Sequence, residues 1–434
     1  MENWIEINNK INLKVLVLNK NLIENNIKGF ILPLDLIARE DQDSILELVY
    51  SFGKKILIDS DSWKLIDQEF VSKIEEKYNE SISEEKELST KVKTFFEALG
   101  KNTCLEGIIE TILFNENFDI IENWLNYQNN IDVFMRENLG RVHRDITGYL
   151  LIGNNKKHIH TELEAFTLPY IPIILENDTE NFKNSIDCNI KILENAPSKF
   201  KNKLCIPLIS TNINSWKNQK IYDLLSLIDS KFKKVWIWFI DFSEFNAKMN
   251  DINKLNEVVN SFINFKNLKF YLRYGGIFIN RLIPEIFRNC CVKVDGWAQH
   301  NFILNYGRRT RHIYHPQYGT FVSEFQLLRN NELFNSFNCS CKACNEIKEK
   351  VNLTIPELLK KRSEIRIRQK KGEKIPMGIK TLGLSDSSQT KKIKEHCLIK
   401  WIEIQNLSDD LFIEKLENWK GSAPKIWKKF LRRD

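Results

Sequence analysis

The chain has 434 residues, of which 42% are hydrophobic and 28% charged, and its 64 Lys+Arg against 57 Asp+Glu give a net charge of +7. That composition can bury a large core. No run reaches the ~18–20 apolar residues of a membrane span, and "MENWIEINNK" lacks the basic start and apolar core of a secretory signal, so a cytoplasmic protein without membrane contact is expected. Nine cysteines, an odd number grouped only once, argue against a secreted disulfide framework. The positive excess leans weakly toward a polyanionic partner.

Short apolar, β-branched runs alternate with amphipathic stretches along the chain, the pattern of β/α units around a buried parallel sheet. In order, the predicted strands are "LKVLVL" (13–18), "KGFILPL" (28–34), "KKILID" (54–59), "YIPIILE" (170–176), "KLCIPLIS" (203–210), "KVWIWFID" (234–241), "LKFYLR" (268–273) and "CCVKVD" (290–295). Segments such as "KIYDLLSLIDSKF" and "DINKLNEVVNSFINF" carry helical periodicity between them. Eight such units read as an α/β fold, a (β/α)8 TIM-type barrel, with a doubly wound open sheet as the alternative. Residues 67–165 are mainly helical in pattern. Residues 345–395 hold the basic run "ELLKKRSEIRIRQKKGEK", followed by the loop-like "GIKTLGLSDSSQTKK". The expected division is 1–66 for the first part of the barrel, 67–165 for a helical insertion, 166–330 for the rest of the barrel, and 331–434 for a metal-binding subdomain with a basic insertion and C-terminal helices.

Barrel chemistry gathers where strands end. Asp59, Glu176, Asp178, Asp241 and Asp295 all stand at or just past the ends of predicted strands. A carboxylate there can be a nucleophile, a general base or the bidentate acceptor for a base edge; it can also be no more than a helix N-cap. Downstream, "NCSCKACNE" sets Cys339, Cys341 and Cys344 in a C-x-C-x-x-C array that needs a fourth ligand. "HIH" at 158–160, with His143 further upstream, is not read as a metal set.

The sequence of landmarks "KKILIDSDSW", "RYGGIFINRLIPEIFRNCCVKVDGWAQH", "YGTFVSEFQLL" and "CSCKAC" resembles the tRNA-guanine transglycosylase superfamily (queuine and archaeosine tRNA-ribosyltransferases), and most of all its divergent branch that inserts 7-deazaguanines into DNA. "DSDSW" stands where the family has D-S-G-[GS]-F-Q, with Asp61 in place of a Gly and Lys64 in place of the Gln. "GG" at 275–276 and "VKVDGW" stand where it has a G-[HT]-P turn and an F-D-[SC] element, and "HCL" where it has H-N-L.

The resemblance implies a pentosyltransferase that exchanges guanine in a nucleic acid for a 7-deazaguanine base. DNA is favoured and tRNA is possible, and helper proteins of a DNA-modification system are conceivable partners. It implies Asp295 as the nucleophile that forms a covalent glycosyl-aspartate and Asp59 as the proton-transfer partner. Asp178 would read the guanine edge, with Glu176 a less favoured substitute. Ser60, Ser210, Asn212, Gly275 and Gly276 would line the substrate site. Arg308, Arg309 and Arg311, set among Tyr306, Tyr314 and Tyr318, would grip phosphates and an extruded nucleotide. Cys339, Cys341, Cys344 and His396 would hold a structural Zn2+, with Cys397, beside His396, as the alternative fourth ligand.

"LISTN" and "FIDFSEF" replace the Gln and G-G-L that tRNA enzymes show, which makes the base pocket the least transferable part. Lys360, Lys361, Arg362, Arg366, Arg368, Lys370, Lys371 and Lys374 could neutralise phosphates, or form a solvated face with Glu364 and Glu373. The alternatives are a tRNA enzyme and a non-catalytic, zinc-stabilised barrel that binds nucleic acid or serves as a partner subunit.

Overall fold

A computed structural model describes residues 2–7, 10–33, 49, 52–60, 112–129 apart from 115, 120, 124 and 127, then 163–168, 170, 179–210, 213–239, 242–273, 276–287, 289–293, 312–373 and 386–431. Eight parallel strands close on themselves in chain order: β1 (Glu2–Glu6), β2 (Ile27–Pro33), β3 (Lys55–Asp59), β4 (Leu163–Thr167), β5 (Leu204–Ser210), β6 (Lys234–Phe239), β7 (Lys269–Arg273) and β8 (Asn289–Lys293), with β8 pairing back to β1. The expected TIM-type α/β barrel is therefore present.

Two strands differ from the sequence reading. "LKVLVL" is not a strand but the end of helix α1 (Lys10–Leu18), while β1 is the shorter "ENWIE" before it. A short apolar run fits either a buried helix or a buried strand, and the charges at both ends of β1 hid its apolar middle. The fourth strand is "LEAFT", ahead of "YIPIILE", whose residues 171–176 lie outside the described set. This strand straddles the 165/166 boundary between insertion and barrel.

The barrel interior is packed by one residue from each strand: Trp4, Ile31, Leu57, Ala165, Cys205, Trp236, Tyr271 and Cys291. Large rings and small side chains share the cross-section, and Trp4 meets Tyr271 edge-on at 5.7 Å. Gly29 on β2 is required by that packing, because a Cβ there would lie 2.3 Å from the Trp4 ring.

Outside the barrel, helices α2 (Lys20–Asn26), α3 (Thr179–Glu194), α4 (Gln219–Lys231) and α5 (Met249–Ser261) alternate with strands. On α4 the buried residues Ile221, Leu224, Leu225 and Ile228 recur at helical spacing, and the Asn218 side chain caps the helix by accepting the Lys220 N–H at 3.0 Å. Ile252, Leu255, Val258 and Val259 form the matching stripe on α5.

After the barrel comes a hairpin, β9 (His312–His315) and β10 (Thr320–Ser323), then α6 (Glu324–Arg329), α7 (Asn331–Ser336), α8 (Lys342–Val351), α9 (Ile355–Lys370), α10 (Asp386–Gln405), α11 (Asp409–Asn418) and α12 (Ser422–Leu431). The segment "DSSQTKK", expected as loop, opens α10. Gly319 turns the hairpin at φ 62°, and a Cβ there would sit 2.0 Å from the Trp419 ring. Asn352 ends α8 in the left-handed conformation. Among the described residues no helix is long and apolar enough to cross a membrane.

At the N-terminal mouth of the barrel, Glu164 is a hub. The pairing of β3 with β4 slips between Ile56 and Leu57, and the Glu164 carboxylate reaches the interior Tyr271 hydroxyl at 2.6 Å. Lys55 lies 2.8 Å away, Lys269 3.1 Å and Lys234 3.6 Å. Burial pushes this carboxyl up, but the bonds from Lys55 and Tyr271 and the charges of Lys234 and Lys269 outweigh it and hold the group well below the usual carboxylate range.

Candidate functional site: a buried charge cluster and a Cys3His centre

The strands run in parallel, so the last residues of β1, β3, β4 and β7 arrive together at the C-terminal mouth. There Asp59, fully buried, pairs through Oδ2 with Nη1 of Arg273. Nη2 of the same guanidinium lies 3.3 Å from Oε2 of Glu6, and Nη1 is 3.5 Å from the Tyr170 hydroxyl. The guanidinium carbon lies over the Trp236 ring at 4.7 Å and over the Trp238 ring at 5.2 Å, in cation–π range of both.

On the opposite side of Asp59, the Ser60 N–H donates to Thr167 Oγ1 at 2.5 Å. With one lone pair taken, the Thr167 hydroxyl donates to Asp59 Oδ1 at 3.2 Å. The Ser60 hydroxyl donates to the Leu168 carbonyl at 3.1 Å, and Gln128 reaches the Thr167 carbonyl at 3.0 Å. The result is a carboxylate oriented from both sides by groups that are themselves held.

The loops after β6 and β7 meet at Glu244. Its carboxylate accepts the backbone N–H groups of Ile277 at 2.6 Å, Phe278 at 2.8 Å and Ile279 at 3.3 Å. Burial raises this group to about 7 against the lowering effect of those three bonds. Gly276 is where the two loops touch, since a Cβ on it would lie 1.6 Å from Glu244 Oε1. Its carbonyl accepts from Gln405 at 3.0 Å and the Glu244 carbonyl accepts from the Trp427 indole at 2.7 Å, so the C-terminal helices brace this rim.

Of the residues expected at the substrate site, Asp59, Ser60 and Gly276 are therefore on this mouth, and Ser210 is the last residue of β5. Asp295, Asp178, Asn212, Gly275, Arg308, Arg309 and Arg311 lie outside the described residues, as do Glu176, Asp241, His143, His158 and His160. Asp295 follows β8, which ends at Lys293. Glu6 and Arg273 were not singled out from the sequence. Their signal was a charged residue closing a strand behind an apolar middle, visible in "ENWIE" and "KFYLR".

The second centre lies in the C-terminal subdomain. Cys339, Cys341, Cys344 and His396 form a group that could hold a metal ion. His396 Nδ1 is 3.6, 3.3 and 3.4 Å from the three sulfurs. A tetrahedral ion bonded at about 2.3 Å to sulfur and 2.0–2.1 Å to nitrogen requires S···N edges of about 3.5 Å, so the spacing fits. The other ring nitrogen, Nε2, is 2.9 Å from the Tyr314 carbonyl, the partner that turns Nδ1 toward the thiols.

Cys341 is the N-cap residue of α8. Bonds from Cys341 and Cys344 hold the Cys339 thiol well below its usual range, whereas bonds with Cys339 and Cys341, together with burial, push Cys344 up. Burial lowers His396, but the neighbouring sulfurs raise it to about 9. Cys397, the alternative fourth ligand, stays out of the group: it is buried in the core, 3.5 Å from the Tyr314 N–H.

The basic helix is α9. Ile355, Leu358, Leu359 and Arg362 are buried on its inner face, so Arg362 is not on the phosphate-facing side expected of it. Lys360, Lys361, Arg366, Arg368, Lys370 and Lys371 are exposed, as are Glu364 and Glu373; Lys374 lies outside the described residues. No family model, curated protein or solved structure matches the chain.

Proposed function

We propose that the protein is a base-exchanging transglycosylase that removes guanine from a nucleic acid, DNA in preference to tRNA, and installs a 7-deazaguanine. The observation that carries this reading is an oriented, buried Asp59 at the C-terminal end of a closed eight-stranded barrel that is followed by a Cys3His centre. In TIM-type barrels that end of the strands is where chemistry sits.

In this reading Asp295 attacks C1′ of the nucleoside, and guanine leaves with a proton delivered from Asp59 to its N9. The incoming base then displaces the Asp295 carboxylate and returns its N9 proton to Asp59. One proton enters and one leaves, and both carboxyls end as they began. The Cys3His centre would hold zinc as a closed structural site, because three thiolates and one imidazole leave a tetrahedral ion no open position. The exposed cations of α9 would meet phosphates.

Support comes from the order of the landmarks in the sequence and from the position of Asp59. The burial of Asp59 against Arg273 favours a second reading, a barrel that binds nucleic acid without chemistry. One experiment separates them. The full-length protein is incubated with duplex DNA or bulk tRNA, and a denaturation-resistant protein–nucleic acid adduct is sought. An adduct with DNA that disappears in Asp295→Ala is expected; binding without any adduct favours the second reading, and an undiminished adduct in Asp295→Ala removes the nucleophile assignment.

A further inference from the structure

The C-terminal mouth places two carboxylates on one guanidinium, all three out of water: Asp59 is 0% exposed, Arg273 3% and Glu6 5%. A single buried Asp–Arg pair would be a poor proton carrier, since protonating the carboxylate strands a charged guanidinium in a medium that cannot solvate it. Here a second carboxylate removes that difficulty. With Asp59 ionised, Arg273 bridges Asp59 through Nη1 and Glu6 through Nη2. With Asp59 protonated, Arg273 keeps Glu6 as its partner and no buried charge is left alone.

We propose that Glu6 and Arg273 are positioning residues for Asp59: Arg273 fixes its carboxylate, and Glu6 is the resident counter-ion that lets Asp59 give up and regain a proton without leaving the guanidinium unpaired. The proposal rests on the base-exchange reading for its purpose, though not for its test. It accounts for Trp236 and Trp238, whose rings lie within 4.7 and 5.2 Å of the guanidinium carbon and hold the group while its partners change protonation. It also accounts for Thr167, whose hydroxyl is committed to Asp59 Oδ1 because the Ser60 N–H occupies its acceptor side.

Among the described residues, the other titratable groups facing the cluster are neutral. From β5 and β8 come the thiols of Cys205 and Cys291, both pushed up by burial and hence uncharged. The Tyr170 hydroxyl touches Nη1, and β4 presents Thr167, which does not titrate.

The test is a carboxyl titration in the full-length protein labelled with γ-13C aspartate, the Asp59 resonance being identified by its loss in Asp59→Asn. Glu6→Gln removes a like charge and gives Arg273 wholly to Asp59, so the Asp59 midpoint moves down by about one pH unit. Arg273→Met removes the cation, so the midpoint moves up by about 1–3 pH units. A role confined to packing would not produce opposite shifts.

An unchanged midpoint in Glu6→Gln, or shifts of the same sign in both variants, overturns the proposal. If Arg273→Met does not fold, Glu6→Gln decides alone: a downward shift supports the pairing and an unchanged or upward one overturns it. Base exchange is assayed on the same wild-type preparation with labelled guanine. Opposite shifts without exchange remove the enzymatic reading and leave the charge pairing; exchange without shifts does the reverse.

Discussion

The two mouths of the barrel each bury a carboxylate among cations, and the balance of charge differs between them. At the N-terminal mouth three lysines and a tyrosine converge on Glu164, so its ionised form has more partners than it needs and is held below the usual range. At the C-terminal mouth, among the described residues, two carboxylates share one guanidinium, so each cationic charge meets two anionic ones. That asymmetry matches the division of labour in this fold, in which the N-terminal face serves stability and the C-terminal face serves chemistry.

The largest expected effect lies outside both mouths and tests whether the subdomain that braces the C-terminal rim depends on a metal. Structural zinc contributes apparent binding free energies of about 10–16 kcal/mol, so Cys341→Ala, or chelation of the metal-loaded protein, should remove one equivalent of metal and collapse the cooperative unfolding of the C-terminal helices. Metal content by elemental analysis, followed by thermal melting, checks this; one equivalent retained in Cys341→Ala would contradict it.

Next in size is the N-terminal hub. Breaking a fully buried ion pair costs about 3–5 kcal/mol, and the lysines around Glu164 are partly exposed, so about 1–3 kcal/mol is expected for Glu164→Gln. The sign of the pH dependence follows from the depressed folded-state value. The stabilisation is complete above the ordinary glutamate range near 4.3 and is lost as pH falls through the folded value. Denaturant unfolding at neutral and acidic pH should therefore show wild type and Glu164→Gln converging as the pH falls.

At the rim, Glu244→Gln puts an amide donor where three backbone N–H groups converge, a mismatch expected to cost about 1–3 kcal/mol and to be visible in the same melts. The smallest effect on stability belongs to α9. Replacing Lys360, Lys361, Arg366 and Arg368 with Gln should leave melting within about 0.5 kcal/mol of wild type yet flatten the salt dependence of nucleic-acid binding. An unchanged salt slope would make α9 a solvated face.

The comparison also shows what a sequence can and cannot carry. The knuckle was legible because its three cysteines are neighbours in the chain and thiolates in that spacing have few other uses; its histidine, more than fifty residues further on, came through the resemblance. Six of the eight strands could be read from their apolar runs. The other two were missed for local reasons: β1 is capped at both ends by glutamates whose hydrophilicity masks "NWI", and β4 is a five-residue strand carrying the buried Glu164. "LKVLVL" has strand-like composition but packs as a helix, because so short an apolar run shows no periodicity to separate the two.

Asp59 was found as an acid at a strand end. Its partners were not, because Glu6 and Arg273 are 267 residues apart and only closure of the barrel makes them neighbours. Pairing of this kind is set by topology and leaves no local mark.

The most direct measurement of the central claim compares Asp59→Asn with Glu164→Gln in one assay: incorporation of labelled guanine or 7-deazaguanine into duplex DNA, normalised to folded protein. The account predicts label in DNA with wild type and with Glu164→Gln, and a loss of at least about 10²-fold in Asp59→Asn. Equal activity in all three proteins, or no label in any polymer, would contradict it.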